Sequence, residues 1–247
     1  MKNIDLQQIY EYVENHISIF HQRRLDFVQK KVDLLKILKQ KNPYLFKAKN
    51  VLTSQDLIKG FLDAFLQSQE ETLFGDFMED LAIFVCNEVF GAKKSKLTGI
   101  DLEFEKGDVI YAVEIKAGWN WGNSSQIRQL RISFENAKKI LTAETGKEVI
   151  AINGCCFGKD KKTDKGGYLK LCGQQFWEFI SGDSKLYIDI IEPLGYKAKQ
   201  RNEEFLESYA QIVNRMTLEF TQKFCDDGKI NWVKLVEYNS GFEKVKK

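Results

Sequence analysis

Only two prolines and two histidines occur in 247 residues. No apolar run approaches the roughly 20 residues that a membrane-spanning helix needs. The histidines, His16 and His21, lie close together near the N-terminus. No other candidate reactive group has a histidine nearby in sequence, which argues against histidine-based acid–base chemistry. The five cysteines are odd in number and irregular in spacing, which argues against a disulfide framework. Cys155, Cys156 and Cys172 lack a C-x-x-C pair and a neighbouring histidine, so zinc is not indicated and they read as small buried residues. The N-terminal M-K-N-I-D-L-Q-Q has no oily stretch, so no signal peptide is expected and the cytoplasm is the expected compartment. Internal repeats and low-complexity segments are lacking too.

Charge of one sign is also missing. Thirty-seven basic residues face thirty-five acidic ones, for a net charge of +2, so no global field advertises a polyanionic partner. The positive charge is local. Lys36, Lys39, Lys41, Lys47 and Lys49 crowd one stretch, Lys93, Lys94 and Lys96 a second, and Lys159, Lys161, Lys162 and Lys165 a third. Such clusters beside loops suit phosphate contacts, which give salt-sensitive affinity without sequence information.

What is present is a 43% hydrophobic chain, long enough for one large domain or a core with a helical appendage. Apolar residues at three- and four-residue steps predict a long helix or helix pair over 4–40, closed by Pro43. A helix starting at Ser54, capped by Thr53 or Ser54, carries Leu57, Phe61, Leu62, Phe65 and Leu66. A third helix is expected over about 70–90, a fourth from a Ser124 or Ser125 cap to about Thr142, and a last one over 201–225. Strands are expected at 148–153 and at 185–192, the second ending at Pro193. The pattern predicts an α/β fold with a mixed central sheet flanked by helices.

The most informative segment is T-G-I-D-L-E-F-E-K-G-D-V-I-Y-A-V-E-I-K. Residues 100–105 alternate, with Asp101, Glu103 and Glu105 on one face. The strand 109–116 is apolar until Glu114 and Lys116, which share a face. A two-residue loop at Lys106 and Gly107 would set Glu105 opposite Asp108 and Asp101 opposite Ala112. Glu114 would then lie diagonally from Asp101, about 7–8 Å away. A one-residue slip would turn one acid to the other face. A charge ending an oily strand calls for a partner. Two carboxylates and a lysine so placed can hold one Mg²⁺ and cleave a phosphodiester. The loop that follows, Asn120, Trp121, Gly122, Asn123, Ser124, Ser125 and Gln126, is rich in amide, hydroxyl and aromatic groups suited to a DNA groove. Arg128 and Arg131 are candidates for phosphate or guanine. One of Trp119 and Trp121 is expected in the core.

At Asp101, Glu114 and Lys116 the chain resembles the PD-(D/E)xK nuclease superfamily, with Ile100 in place of the nominal proline. The segments A-G-W-N-W-G-N-S-S-Q, N-P-Y-L-F-K-A-K-N, F-G-D-F-M-E-D-L-A and C-G-Q-Q-F-W-E-F-I-S-G-D are similar to type II restriction endonucleases of the branch that cuts sites related to GGNCC. The resemblance implies a restriction-endonuclease-like fold with a catalytic hairpin. It also implies Mg²⁺-dependent cleavage of double-stranded DNA by a homodimer, with Mn²⁺ able to substitute and a cognate DNA methyltransferase as companion. Asp101, Glu114 and the Ile115 carbonyl would hold the metal, Lys116 would assist the water, and Glu79 would be a further acid brought from a helix. Residues 1–50 are expected to form a helical dimerisation region, 51–200 the catalytic core, and 201–247 a C-terminal helix and tail. The long apolar stripes over 4–40 and 201–225 are expected to build the dimer. Two other readings stay open: a structure-specific repair or recombination nuclease, and a noncatalytic DNA- or protein-binding module.

Overall fold

The computed structural model describes residues 5–242. In chain order it contains α1 (Leu6–Lys30), α2 (Leu34–Gln40), α3 (Pro43–Ala48), α4 (Ser54–Phe90), β1 (Lys93–Lys94), β2 (Leu102–Lys106) and β3 (Val109–Gly118). There follow α5 (Ser124–Thr145), β4 (Glu148–Phe157), β5 (Leu169–Cys172), α6 (Gln174–Ser181), α7 (Leu186–Asp189) and α8 (Ile191–Leu194). The chain ends with α9 (Ala198–Phe224), β6 (Cys225–Asp226), β7 (Lys229–Ile230) and α10 (Trp232–Ser240). Two compact units emerge. Of the described residues, 5–18 and 74–196 form the first; 19–73 and 197–242 form the second.

The first unit holds a five-stranded sheet in the order β1-β2-β3-β4-β5. β1, β2 and β3 pair antiparallel, whereas β3–β4 and β4–β5 are parallel. A parallel pair needs a crossover, and α5 supplies it between β3 and β4. Leu130, Phe134, Ala137 and Leu141 of α5 pack with Ile110, Ala112, Val149 and Ala151 of the strands and with Ile100. Buried on both faces, β3 and β4 read as near-continuous apolar runs. The mixed sheet flanked by helices is as expected.

The expected hairpin register needs correction. Lys106 pairs with Val109, so the loop is Gly107-Asp108 rather than Lys106-Gly107. Gly107 has φ +66°, and glycine first is a favoured arrangement for two-residue hairpins. The shift is two residues, so each side chain keeps its face. The last pair of the ladder is Leu102 with Val113, and the Asp101 N–H bonds the Val113 carbonyl, which brings Asp101 up to the Glu114 end of the strand.

Several helix boundaries also differ. The helices expected from Ser54 and from about 70 are one helix of 37 residues. The intervening Q-S-Q-E-E lacks an apolar stripe, but it contains neither Gly nor Pro and Gln67 bonds Glu71 one turn on. Thr53 is the cap, accepting from Asp56 N. Pro43 does not merely close a helix; it opens α3 at its first turn, capped by Asn42. The α5 cap is Asn123 rather than either serine, in a capping box with Gln126, and α5 runs on to Thr145. The strand expected at 185–192 is instead α7 and α8. Leu186, Ile190 and Pro193 are buried, and steps of four and three are helical, not alternating.

The second unit is helical. Val28, Val32, Leu34, Ile37 and Leu38 pack with Leu57, Ile58, Phe61 and Leu62, and with Phe205, Ile212, Val213, Met216 and Phe220 of α9. The stripes expected to build a dimer are thus covered within one chain.

Phe134 is 2% exposed at the centre of the sheet–α5 core. Phe134→Ala should therefore destabilise the protein by about 3–5 kcal/mol, read as a lower urea midpoint; a change near zero would show that α5 does not depend on this contact.

Candidate active site

Asp101 is held at the edge of the sheet by three local devices. Gly99 takes φ +75°, and a Cβ there would meet Ser133 Oγ at 2.6 Å, so the turn before the acid presses directly on α5. The Asp101 N–H donates to the Val113 carbonyl at 2.9 Å. Its Oδ2 accepts from the Ile115 N–H at 2.6 Å. The side chain is therefore pinned to the backbone of the strand that carries Glu114.

Glu114 is 8% exposed, one of four buried polar or charged residues among those described. Lys116 Nζ lies 2.6 Å from its Oε1, and Asn153 Nδ2 donates to its Oε2 at 2.8 Å. Burial pushes the carboxyl up to about 7; Lys116 pulls it down and the charge of Asp101 pushes it up. Desolvation outweighs the ion pair because the neutral acid needs no compensating charge. Lys116 Nζ also stands 5.1 Å from the centroid of the Trp121 ring.

Glu79 projects from α4. Burial raises its pKa first, the Asp101 charge next, while Lys94 lowers it; Lys94 Nζ is 3.7 Å from its Oε1. An acid from this helix thus lies within electrostatic reach of Asp101. Lys94, part of the second basic cluster, is thus also the partner of this acid.

The segment after β3 is mostly a helix start. Asn123 Oδ1 accepts from the backbone of Ser125 and Gln126, both at 3.1 Å, and from Ser125 Oγ at 2.6 Å. Gln126 Oε1 accepts from the Asn123 N–H at 2.9 Å. Asn120, Ser124 and Arg128 are exposed. Trp121 packs against the sheet–α5 core, and Trp119 is 45% exposed. Arg131 already has partners: its guanidinium donates to the carbonyls of Gly166 and Lys165 at 2.6 and 2.7 Å, tying down that loop. In the third basic cluster, Lys165 pairs with Asp160 at 2.8 Å.

Sequence reading missed Asn153. Its signal was a single amide at the end of the apolar run V-I-A-I, on the strand that runs parallel to β3 with Asn153 paired to Glu114.

This architecture is consistent with the restriction-endonuclease-like fold, a class of nucleases. Residues 7–202 match the family model described as type II restriction endonuclease EcoO109I, which is most of the chain, and the protein belongs to that family. It is a type II restriction endonuclease, a site-specific deoxyribonuclease, and this sets aside the noncatalytic module. No individually curated protein matches the sequence. Type II restriction endonucleases generally use divalent metal ions. The donor set fits one: two carboxylates crowded enough for Asp101 to disfavour ionisation of Glu114 would be relieved by a cation. No group of three or more Asp, Glu, His or Cys side chains able to hold a metal occurs among the described residues. A hard cation held by one or two carboxylates, with water and phosphate completing its shell, needs none.

A carboxyl raised from the ordinary 4.5 to about 7 binds its proton more tightly in the folded chain. The stability it contributes is present below the unfolded value and is lost as pH rises through about 7. In chelator-treated protein, the urea midpoint of Glu114→Gln should fall less than that of the wild type between about pH 5 and about pH 8. Equal slopes would mean that Glu114 is not held in a proton-favouring site.

Proposed function

We propose that this enzyme hydrolyses both strands of double-stranded DNA in a Mg²⁺-dependent reaction, as a homodimer, at a short palindromic or interrupted-palindromic site related to GGNCC. The observation that carries this reading is the convergence of Asp101, Glu114 and Lys116. Asp101 is fixed to the Ile115 N–H, and Glu114 to Lys116 and Asn153. Asp101, Glu114 and the Ile115 carbonyl would hold the cation, and Mn²⁺ would serve in place of Mg²⁺. When bound, the cation supplies positive charge to the phosphate oxygens and acidifies a coordinated water.

The chain's own groups do the rest. Asp101, anchored to the backbone, gives a fixed origin for the carboxylate pair. The Lys116 ammonium is at hand to orient the attacking water and to offset charge that builds on the phosphate. Glu79, held near Lys94, adds a third acid on the Asp101 side. Asn120, Trp121, Asn123, Ser124, Ser125, Gln126 and Arg128 form the proposed DNA-contacting segment, with the lysine clusters steering phosphate. Cutting both strands at a symmetric site needs two such centres, which favours a two-fold dimer. A host using this enzyme in its cytoplasm would protect its own sites with a methyltransferase.

Phage or plasmid DNA incubated with the protein and Mg²⁺ should yield discrete fragments. Asp101→Ala and Lys116→Ala should each lower cleavage by at least about 100-fold while a gel shift shows that DNA is still bound. Ladders or digestion from ends would instead favour a structure-specific nuclease. Wild-type rates in Lys116→Ala would overturn the assignment of the site.

A further inference from the structure

Asn153 lies on β4 directly across the parallel ladder from Glu114 and is 1% exposed. Its side chain is engaged at both ends. Nδ2 donates to Glu114 Oε2 at 2.8 Å and approaches the Glu114 carbonyl at 3.4 Å. Oδ1 accepts from the Trp121 indole N–H at 3.1 Å, and the Cys155 thiol is a weak donor to the same oxygen at 3.8 Å. The indole fixes which way the amide points. An indole N–H can only donate, so the amide must turn Oδ1 to Trp121, which leaves Nδ2 for Glu114.

Trp121 closes a ring of contacts. Glu114 has one oxygen on Lys116 and the other on Asn153. Lys116 stands over the Trp121 ring, and Asn153 accepts from its N–H. Both partners of the carboxylate therefore bear on one indole, and that indole belongs to the segment between β3 and α5, whose neighbours Asn120, Gly122 and Asn123 are exposed.

We propose that Asn153 is a positioning residue that couples Glu114 to Trp121, so that the loop after β3 sets the aim of the carboxylate. The proposal rests on the reading of Glu114 as an acid of the reactive site. Satisfying a buried carboxylate needs only a donor, which Nδ2 alone provides. The Oδ1–indole bond is what links that donor to the loop. With DNA seated on the loop, Trp121 stays against the amide, Oδ1 keeps the partner that orients it, and the donor to Glu114 stays aimed.

Trp121→Phe removes the N–H and keeps an aromatic ring near Lys116. It should lower kcat by roughly 10- to 100-fold, beyond any effect on KM for DNA from its place in the DNA-contacting segment. Asn153→Ala should do at least as much, and the double variant should be no slower than Asn153→Ala, because both lesions break one path. A second readout needs no turnover. Mg²⁺ titrated into DNA-free wild type should change tryptophan emission. That change should vanish in Trp121→Phe, and also in Asn153→Ala although calorimetry still records Mg²⁺ uptake and circular dichroism a native helix content. Additive losses in the double variant, a raised KM with unchanged kcat in Trp121→Phe, or a wild-type emission response in Asn153→Ala would each overturn the coupling. Wild-type protein that neither cleaves DNA nor takes up Mg²⁺ would overturn the site reading beneath it, a failure visible before any variant is made.

Discussion

A carboxylate inside a sheet has to be compensated from every side, and the compensation of Glu114 organises the first unit. Unpaired, a buried charge is among the most destabilising features a core can contain. Here the sheet order places β2 on one flank of β3 and β4 on the other. The antiparallel neighbour leads in from Asp101, and the parallel neighbour brings Asn153. Lys116 comes from the same strand, two residues on. Mixed strand directions are thus what surrounds one acid with a second acid, an ammonium and an amide. Even with these partners burial holds the acid up at about 7, a frustrated state that a bound cation would relieve.

The hairpin was legible because its logic depends on parity. The loop lies one residue further along than expected, which shifts the pairing by two and leaves every side chain on its expected face. Either Lys106-Gly107 or Gly107-Asp108 puts a glycine in the turn, so local composition could not choose between them. Elsewhere, apolar pattern misled where length and breakers decide. The polar stretch near residue 69 looked like a gap between helices, yet glutamine and glutamate are good helix formers. Residues 185–192 looked like a strand because they are oily, although their buried positions recur at helical steps. Asn153 was out of reach because its meaning lies in a strand pairing between residues 39 positions apart.

The second unit bears on the dimer. Long apolar stripes over 4–40 and 201–225 invited an intermolecular role, but the buried core of this unit consumes Val28, Val32, Leu34, Leu38, Phe205, Ile212 and Met216. What supports a dimer is therefore the symmetry of a two-strand cut and not unpartnered surface. An apolar stripe establishes that a helix is covered; it does not establish by whom.

The segment after β3 faces a competition between two uses of the same atoms. Asn123 and Gln126 carry amides of the kind that pair with base edges, and both are committed to starting α5. Losing an N-cap costs about 1 kcal/mol, whereas one good bidentate base contact is worth about 1–3 kcal/mol. Were these amides to read bases as proposed, exchange of cap for base would be favourable only where the contact is well formed, and the cap would act as a threshold against poor sites. Trp121 stands between that threshold and Glu114. The helix start that would discriminate DNA is in this way tied, through one indole and one amide, to the acid that would act on it.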